Sequence, residues 1–430
     1  MSFQQGLSGL NSSAKALDVL GNNIANSSTV GFKAAEVHFS DVYASSLSGG
    51  GASQVGIGSM VSGIQQSFSQ GNITATNNTL DISINGGGFF RMDNNGSVTY
   101  TRSGQFHLDN AGYIINDQGL KLMGYPADAN GLITASNPVD LQLSASQIAP
   151  RATSDTLAGN MTAQLNLDSR NGVPSVVPFN YANPSSYNFS TAMSVYDTLG
   201  VAHTLTLYFQ RTAAGGDWNV YGTMDGATPQ AIATTAGLPA GGGAAATVGG
   251  GALAFTSSGA LDTPPAMPLT LPTWALSTGA VSPWSPGRID FTGTTQYGSA
   301  SSVDRRTQGG YTTGSLTGLS VGADGIVQGR YSNGQSRNLG QVVLATFASP
   351  NGLQSLGNNQ WAATTVSGPE LVSAAGTGSR GVLQSASIEE SNVDLTAQLV
   401  NMITQQRNYQ ANAQTIKTQD AIMQTLVNLR

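Results

Sequence analysis

A chain of 430 residues is long enough for two or three domains, each with its own core. Charged residues make up 9 %, the net charge is −6, and there is no Cys. No basic stripe exists to neutralise phosphates, and disulfides, thiolate metal sites and Cys nucleophiles are excluded.

With 54 Gly and a mean hydropathy near zero, the composition fits a polar but uncharged surface, or one largely covered by partners, rather than a disordered chain. The N-terminal MSFQQGLSGL lacks the basic and apolar regions of a secretory signal, which taken alone reads as cytoplasmic. Leu7, Leu10, Ala14, Leu17 and Ile24 lie on one alternating 3-4 seam, with Gly21 in the sixth place. This a/d pattern predicts a coiled-coil-like helix from about residue 3 to 24, roughly 33 Å long. The same spacing also fits an ordinary amphipathic helix on a globular core. Residues 22–35 follow, with Asn22, Asn23 and Asn26 able to satisfy local backbone groups in an ordered turn that contains Gly31 and Phe32.

The signal then changes to strand. "MDNNGSVTY" (92–100), "QFHLDNAGYII" (105–115) and "SVGADGIVQGRYSNGQ" (320–335) place Asn-Gly, Asp-Gly or Asn-Ala-Gly between alternating residues, which is hairpin grammar. "HTLTLYF" (203–209) and "RTAAGGDWNVY" (211–221) read as another strand pair. The low-complexity run 236–251 reads as a flexible surface loop, and the Pro-rich stretch 264–286 is unsuited to a helix or a central strand. No apolar run reaches the roughly 18 residues that span a bilayer.

At the other end, Leu395, Leu399, Met402, Gln406, Tyr409, Ala413, Ile416, Asp420, Met423 and Val427 occupy successive a/d places, and Ser391 or Asp394 can cap the start. A helix over about 394–429 would be roughly 54 Å long. Ile403, Ile422, Leu426 and Leu429 form a second apolar row, wider than a two-stranded seam needs. Gln, Asn and Thr replace the charges usual at e and g, which suits burial among other helices.

No constellation for catalysis emerges. His38, His107 and His203 are scattered and read as exposed or half-buried strand or loop residues. "GLSVG" (318–322) matches a nucleophile elbow but lies in hairpin sequence. "NGGGFFR" (85–91) has no helix after it to offer a phosphate site, so a tight turn entering a strand is the reading. Glu389 and Glu390 stand near the last helix, where a capping or dipole role suffices.

Read together, the two ends point to a family. "LDVLGNNIANSSTVGFK" (17–33) resembles the N-terminal signature of the flagellar rod and hook family, which implies a signature turn of Gly21, Asn22, Asn23, Asn26, Gly31 and Phe32, and "SNVDLTAQLVNMITQQRNYQANAQTIKTQDAIMQTLVNLR" (391–430) is similar to its C-terminal helix. "LDISINGGGFFRM" (80–92), "YTRSGQFHLDNAGYIIN" (100–116), "LMGYPA" (122–127) and "LGQVVLATFASPNGLQSLGNNQWAAT" (339–364) resemble the hook branch more than the shorter rod proteins. The resemblance implies a multidomain chain with two mostly antiparallel β domains in the middle and terminal helices forming an inner domain. The corresponding division is 1–24 with 391–430 as the inner tube, 25–70 with 365–390 as a connecting segment, 71–145 with 312–364 as a first β domain and 146–311 as an outer one. It further implies a non-enzymatic, cofactor-free and metal-free subunit of a tubular polymer that couples rod to filament as a universal joint for motility. Its partners would be copies of itself, the distal rod protein, the hook cap, the hook–filament junction proteins and the flagellar type III export apparatus, with no nucleic acid and no membrane insertion. Export without a cleaved leader would place it outside the cell. The rival readings are a distal rod protein, which the large middle insertion disfavours, a secreted β-rich adhesin, which leaves the two terminal seams unexplained, and a peptidoglycan hydrolase, for which no acid pair is placed.

Overall fold

The computed structural model describes residues 2–42, 56–128, 130–143, 147–154, 161–212, 216–226, 230–231, 253–262 and 268–428. The run 236–251 lies outside them. Two long helices, α1 (Ser2–Ala25) and α2 (Leu395–Asn428), enclose a chain of strands. The chain divides into two compact units, residues 1–145 with 317–330 and 336–430, and residues 146–316 with 331–335.

In the first unit, α1 is followed by the hairpin of β1 (Ala35–Val42) and β2 (Gly58–Gln66), paired from Ala35–Gln66 to Val42–Gly58. Its large sheet runs through strands 316–321, 326–331, 336–346, 121–126, 89–94, 97–101, 360–362 and 354–357. Inward alternation buries Ile82, Ile84, Phe90, Met92, Leu122 and Val342 in one core, and Phe89, Tyr100, Phe347 and Trp361 in a second. Residues 371–374 join the large sheet, while 382–385 pair with 82–85 and 387–389 with 73–75. These last two ladders bring the chain back beside the segment that follows β2, so α2 starts close to where α1 ends.

Among its described residues the second unit holds two four-stranded sheets, one ordered 269–270, 288–290, 161–166, 302–307 and the other 189–196, 202–211, 218–224, 230–231. Leu165, Leu207, Phe209, Trp218 and Phe291 are among its core side chains. Among the described residues of the Pro-rich stretch only Leu269–Thr270 pairs as a strand, at a sheet edge, where a missing N–H is tolerated.

One turn recurs seven times among the described residues: 109–113, 116–120, 128–132, 197–201, 256–260, 322–326 and 331–335. In each, the first N–H donates to the fifth carbonyl and the fourth N–H to the first carbonyl. The fourth residue is always Gly, with φ between +77° and +84°, a conformation that side chains with a Cβ resist. At Asp109, Asn116, Asp128 and Asp197 the side-chain oxygen also accepts the third and fifth N–H groups, which is why Asx opens these turns.

Candidate assembly surface and terminal junction

Helix α1 runs antiparallel to α2 within the chain. Asn23 donates to Gln398 at 3.4 Å, while a Cβ built on Gly9 would meet Asn412 and one on Gly6 would meet Thr415 and Ile416. The row of α1 that carries these contacts is Gly6, Gly9, Ser13, Ala16, Leu20 and Asn23, itself spaced 3-4 but, apart from Leu20, made of small and polar residues. Small side chains let two helix backbones approach closely. The residues of α2 half-buried on this side are Gln398, Met402, Gln405, Asn412, Ile416 and Gln419. On α1's other flank, Gln5 donates to Gly56 at 2.6 Å and Ser12 bonds to Ser59 of the hairpin.

The apolar seams read from the sequence therefore lie largely beside this contact. On α1, Leu10, Ala14, Leu17, Gly21 and Ile24 are half-buried and Leu7 is exposed. On α2, Met402, Ala413 and Ile416 are half-buried, whereas Leu395, Leu399 (44 % exposed), Tyr409 and Met423 (60 %) face outward. Val400 and Ile403 (51 %) join them, and the side chain of Val427 lies outside the described residues. The small-residue row is silent in the sequence because apolar periodicity counts Leu and Ile, and Gly, Ser and Ala carry no such signal.

The signature segment differs in part from expectation. Gly21, Asn22 and Asn23 belong to the last turns of α1 and not to the turn itself, because nothing interrupts the helix before Asn26. There Asn26 Nδ2 donates to the Asn22 carbonyl at 2.9 Å and Ser27 Oγ to that of Ile24 at 2.9 Å. Asn22 is exposed, Phe32 half-buried and Asn23 fully buried. Asn23 clasps the backbone of Ala35 from both sides, accepting from its N–H at 2.9 Å and donating to its carbonyl at 2.8 Å. Gly31 has φ +72°, and a Cβ there would stand 2.6 Å from Ser103 N and 2.7 Å from Arg102 C. Only Gly permits that approach. At the far end Asp394 is the cap of α2, accepting from Thr396 N at 2.9 Å and Ala397 N at 3.1 Å. Ser391 instead accepts from Val393 N.

Glu389 is not a capping residue, contrary to the sequence reading. Its carboxylate is fully buried and meets Lys33 at 2.7 Å and Arg102 at 3.6 Å. Lys33 lies 356 positions away in sequence, so no local pattern could announce the pair. Burial pushes the Lys33 ammonium down from its ordinary value, with Glu389 pulling the other way. Elsewhere in the first unit, Arg91 grips Glu370 through two bonds of 2.9 and 3.0 Å, and Tyr100 OH donates to the same carboxylate at 2.8 Å. Burial acts to raise the Glu370 pKa, but these donors outweigh it and hold the group below its usual range.

In the second unit, His203 is also a correction: it is buried, 5 % exposed, and not a surface residue. Its strand turns it inward, where Asp225 stands 2.6 Å from Nδ1 and Asp197 3.3 Å from Nε2. Thr278 donates to Asp197 at 2.8 Å. Desolvation works to lower the imidazole pKa, and the two carboxylates more than reverse it. "GLSVG" lies largely within strand 316–321 and "NGGGFFR" turns directly into strand 89–94. Among the described residues no group of three or more His, Cys, Asp or Glu side chains is arranged to hold a metal. The arrangement that remains is a surface for packing helices and a junction that ties both chain ends to β strands.

Comparison with known proteins agrees with that geometry. Four family models match: a flagella basal body rod protein model over residues 3–33, a flagellar hook protein FlgE/F/G D1 domain over 83–156, a flagellar basal body protein FlaE D2 domain over 166–311, and a flagellar basal body rod FlgEFG protein C-terminal model over 384–429. The flagellar hook protein FlgE of Escherichia coli K12 is 42 % identical, with all of both chains covered. That of Treponema pallidum is 32 % identical over all of this chain and 99 % of its own. A solved structure, the Helicobacter pylori flagellar hook protein FlgE2, aligns with 74 % of this chain and 100 % of its own at a TM-score of 0.48 and 10 % identity, a likeness too weak to carry an argument. On the full-length identities, the chain belongs to the flagellar hook protein family.

Proposed function

We propose that the chain is the structural subunit of a flagellar hook, a helical polymer in which the terminal helices of many copies pack as an inner tube. The supporting observation is the set of large apolar side chains on α2, Leu395, Leu399, Val400, Ile403, Ile422 and Met423, which its own chain leaves exposed. So much apolar surface on one helix marks a site of association. A contact joining different patches of successive copies does not close on itself and builds an open helical array. In this reading 25–70 with 365–390 connects the tube to a first β domain, 71–145 with 312–364, and to an outer domain, 146–311. The seam residues and the signature turn serve assembly. The distal rod protein, hook cap and junction proteins are the neighbours, and the flagellar export apparatus delivers the subunit to the outside of the cell.

The test is salting-out of the purified chain followed by electron microscopy, with Leu399→Asp alongside. Curved tubes from the wild-type chain and none from the variant are expected, since a charge buried without a partner in a polymer seam costs several kcal/mol, roughly. Wild-type monomers at every concentration would refute the reading, and straight tubes would replace it with a rod subunit.

A further inference from the structure

Lys33, Arg102 and Glu389 form a charged cluster that the helix pairing does not require. The side chains of Lys33 and Glu389 have no exposed surface and that of Arg102 has 3 %. They come from three separate stretches: the arm after α1, the residues leaving strand 97–101, and the last strand before α2. Lys33 Nζ donates to Glu389 Oε1 and to the Ser69 carbonyl, each at 2.7 Å. Gly71 N donates to the same Oε1 at 2.9 Å, and the main-chain oxygen of Glu389 accepts from Gly31 N at 2.8 Å. Arg102 Nη2 donates to the Gly86 carbonyl at 2.8 Å, while Arg102 Nη1 and Glu389 Oε2 have no hydrogen-bond partner.

Two cations thus share one carboxylate in an almost fully buried site. Burying ions is expensive, and apolar residues of similar volume often stabilise a fold as well or better. What an apolar cluster cannot do is fix three strands of chain at one point with directional bonds. We propose that this cluster is a latch, with Glu389 the positioning residue that holds the N-terminal arm, and through it the helix pair, against the β strands of the first unit. Tension applied to the helices would then pass to the sheet through Lys33 and the Gly31 N–H. The proposal deepens the hook reading and rests on it for the source of that tension. Secondary ties run in parallel, from Ala34 N to Asn392 at 2.7 Å and from Asn359 to the Val30 carbonyl at 2.9 Å, so losing the latch should loosen the arm without unfolding the unit.

Hydrogen exchange by mass spectrometry on the full-length monomer tests it. Lys33→Met leaves a neutral Arg102–Glu389 pair and keeps the unit folded. Two charge-assisted bonds are lost, so residues 26–35 should exchange at least about tenfold faster, while strands 121–126 and 341–346 keep their rates. Glu389→Gln strands two buried cations and should accelerate the same segment about a hundredfold or more. If that variant does not fold, Lys33→Met decides alone. Unchanged rates at 26–35, or β strands that loosen by the same factor as the arm, would overturn the latch. Because exchange is read on the monomer, a wild-type chain that forms no tubes would sink the hook reading without touching this result.

Discussion

Gly31 and Gly21, two glycines of one signature segment, should respond to the same substitution with opposite signs. At Gly31 the backbone is left-handed, φ +72°, and an added Cβ would stand 2.6 Å from a backbone nitrogen of Ser103 and 2.7 Å from the carbonyl carbon of Arg102. Neither atom belongs to a flexible side chain, so the arm itself must move. The left-handed conformation costs a residue with a Cβ roughly 1–2 kcal/mol. Overpacking against fixed backbone typically adds about 1–3 kcal/mol. Gly31→Ala should therefore weaken docking of the arm by about 2–5 kcal/mol, and more if the bond from Gly31 N to the Glu389 carbonyl breaks. Gly21 sits inside α1, and a Cβ added there would meet nothing within 4 Å. Gly21→Ala should accordingly stabilise the helix by about 0.5–1 kcal/mol. Hydrogen exchange over residues 2–35 gives both numbers, since 1.36 kcal/mol is tenfold in rate. Gly31→Ala should speed the arm roughly thirtyfold or more, and Gly21→Ala should slow α1. The reasoning fails if both variants shift exchange in the same direction, or if Gly31→Ala leaves the arm unchanged.

Three further outcomes are expected. Leu399→Asp should leave monomer stability within about 0.5 kcal/mol while abolishing tubes, whereas Ile416→Asp, whose side chain lies against Gly6, should also destabilise the helix pair; sedimentation and helical circular dichroism separate the two. His203 has a folded pKa raised above 6.5, so its contribution to the second unit is complete below that value and declines as pH rises through the folded pKa; Asp197, lowered from 3.8, contributes above that value and loses its share as pH falls through its own folded pKa. Calorimetry of the unit should show both limbs, and His203→Gln should flatten the alkaline one. Deleting 236–251 should leave tube formation intact, because a Gly/Ala run offers little to pack, and electron microscopy of the deletion variant checks it.

The sequence made some features plain and hid others for identifiable reasons. Helix limits were readable because an a/d pattern and an Asp cap are local signals, and α1 and α2 end within two residues of the predicted points. Hairpins were readable because Asn-Gly and Asp-Gly have few alternatives in backbone space; Asn95 (φ +51°) and Gly96 (φ +91°) take the two positive values a tight hairpin needs. The face by which α1 meets α2 was not, since a row of Gly, Ser and Ala is invisible to a hydrophobic count. Neither was the Glu389 cluster, whose members lie far apart along the chain, nor the burial of His203, which depends on Asp225 from the neighbouring strand. The signature itself was found by its resemblance, and its reasons came only with geometry: Asn23 clasps Ala35, Gly31 fits where no Cβ can, and Lys33 reaches Glu389.

The seam of Gly6, Gly9, Ser13 and Ala16 against Gln398, Gln405 and Asn412 also has a mechanical side. Interlocked leucines give a helix pair a deeply corrugated energy surface, so that any axial shift lifts each knob out of its hole. Here the notches are shallow, Gly9 receiving Asn412 and Gly6 lying against Thr415 and Ile416, and an amide leaving one notch can bond to another polar partner where a leucine knob cannot. A pair built this way behaves more like a lubricated bearing than a gear. Axial strain on one helix should then relax in part along its neighbour before it reaches the tie between Lys33 and Glu389.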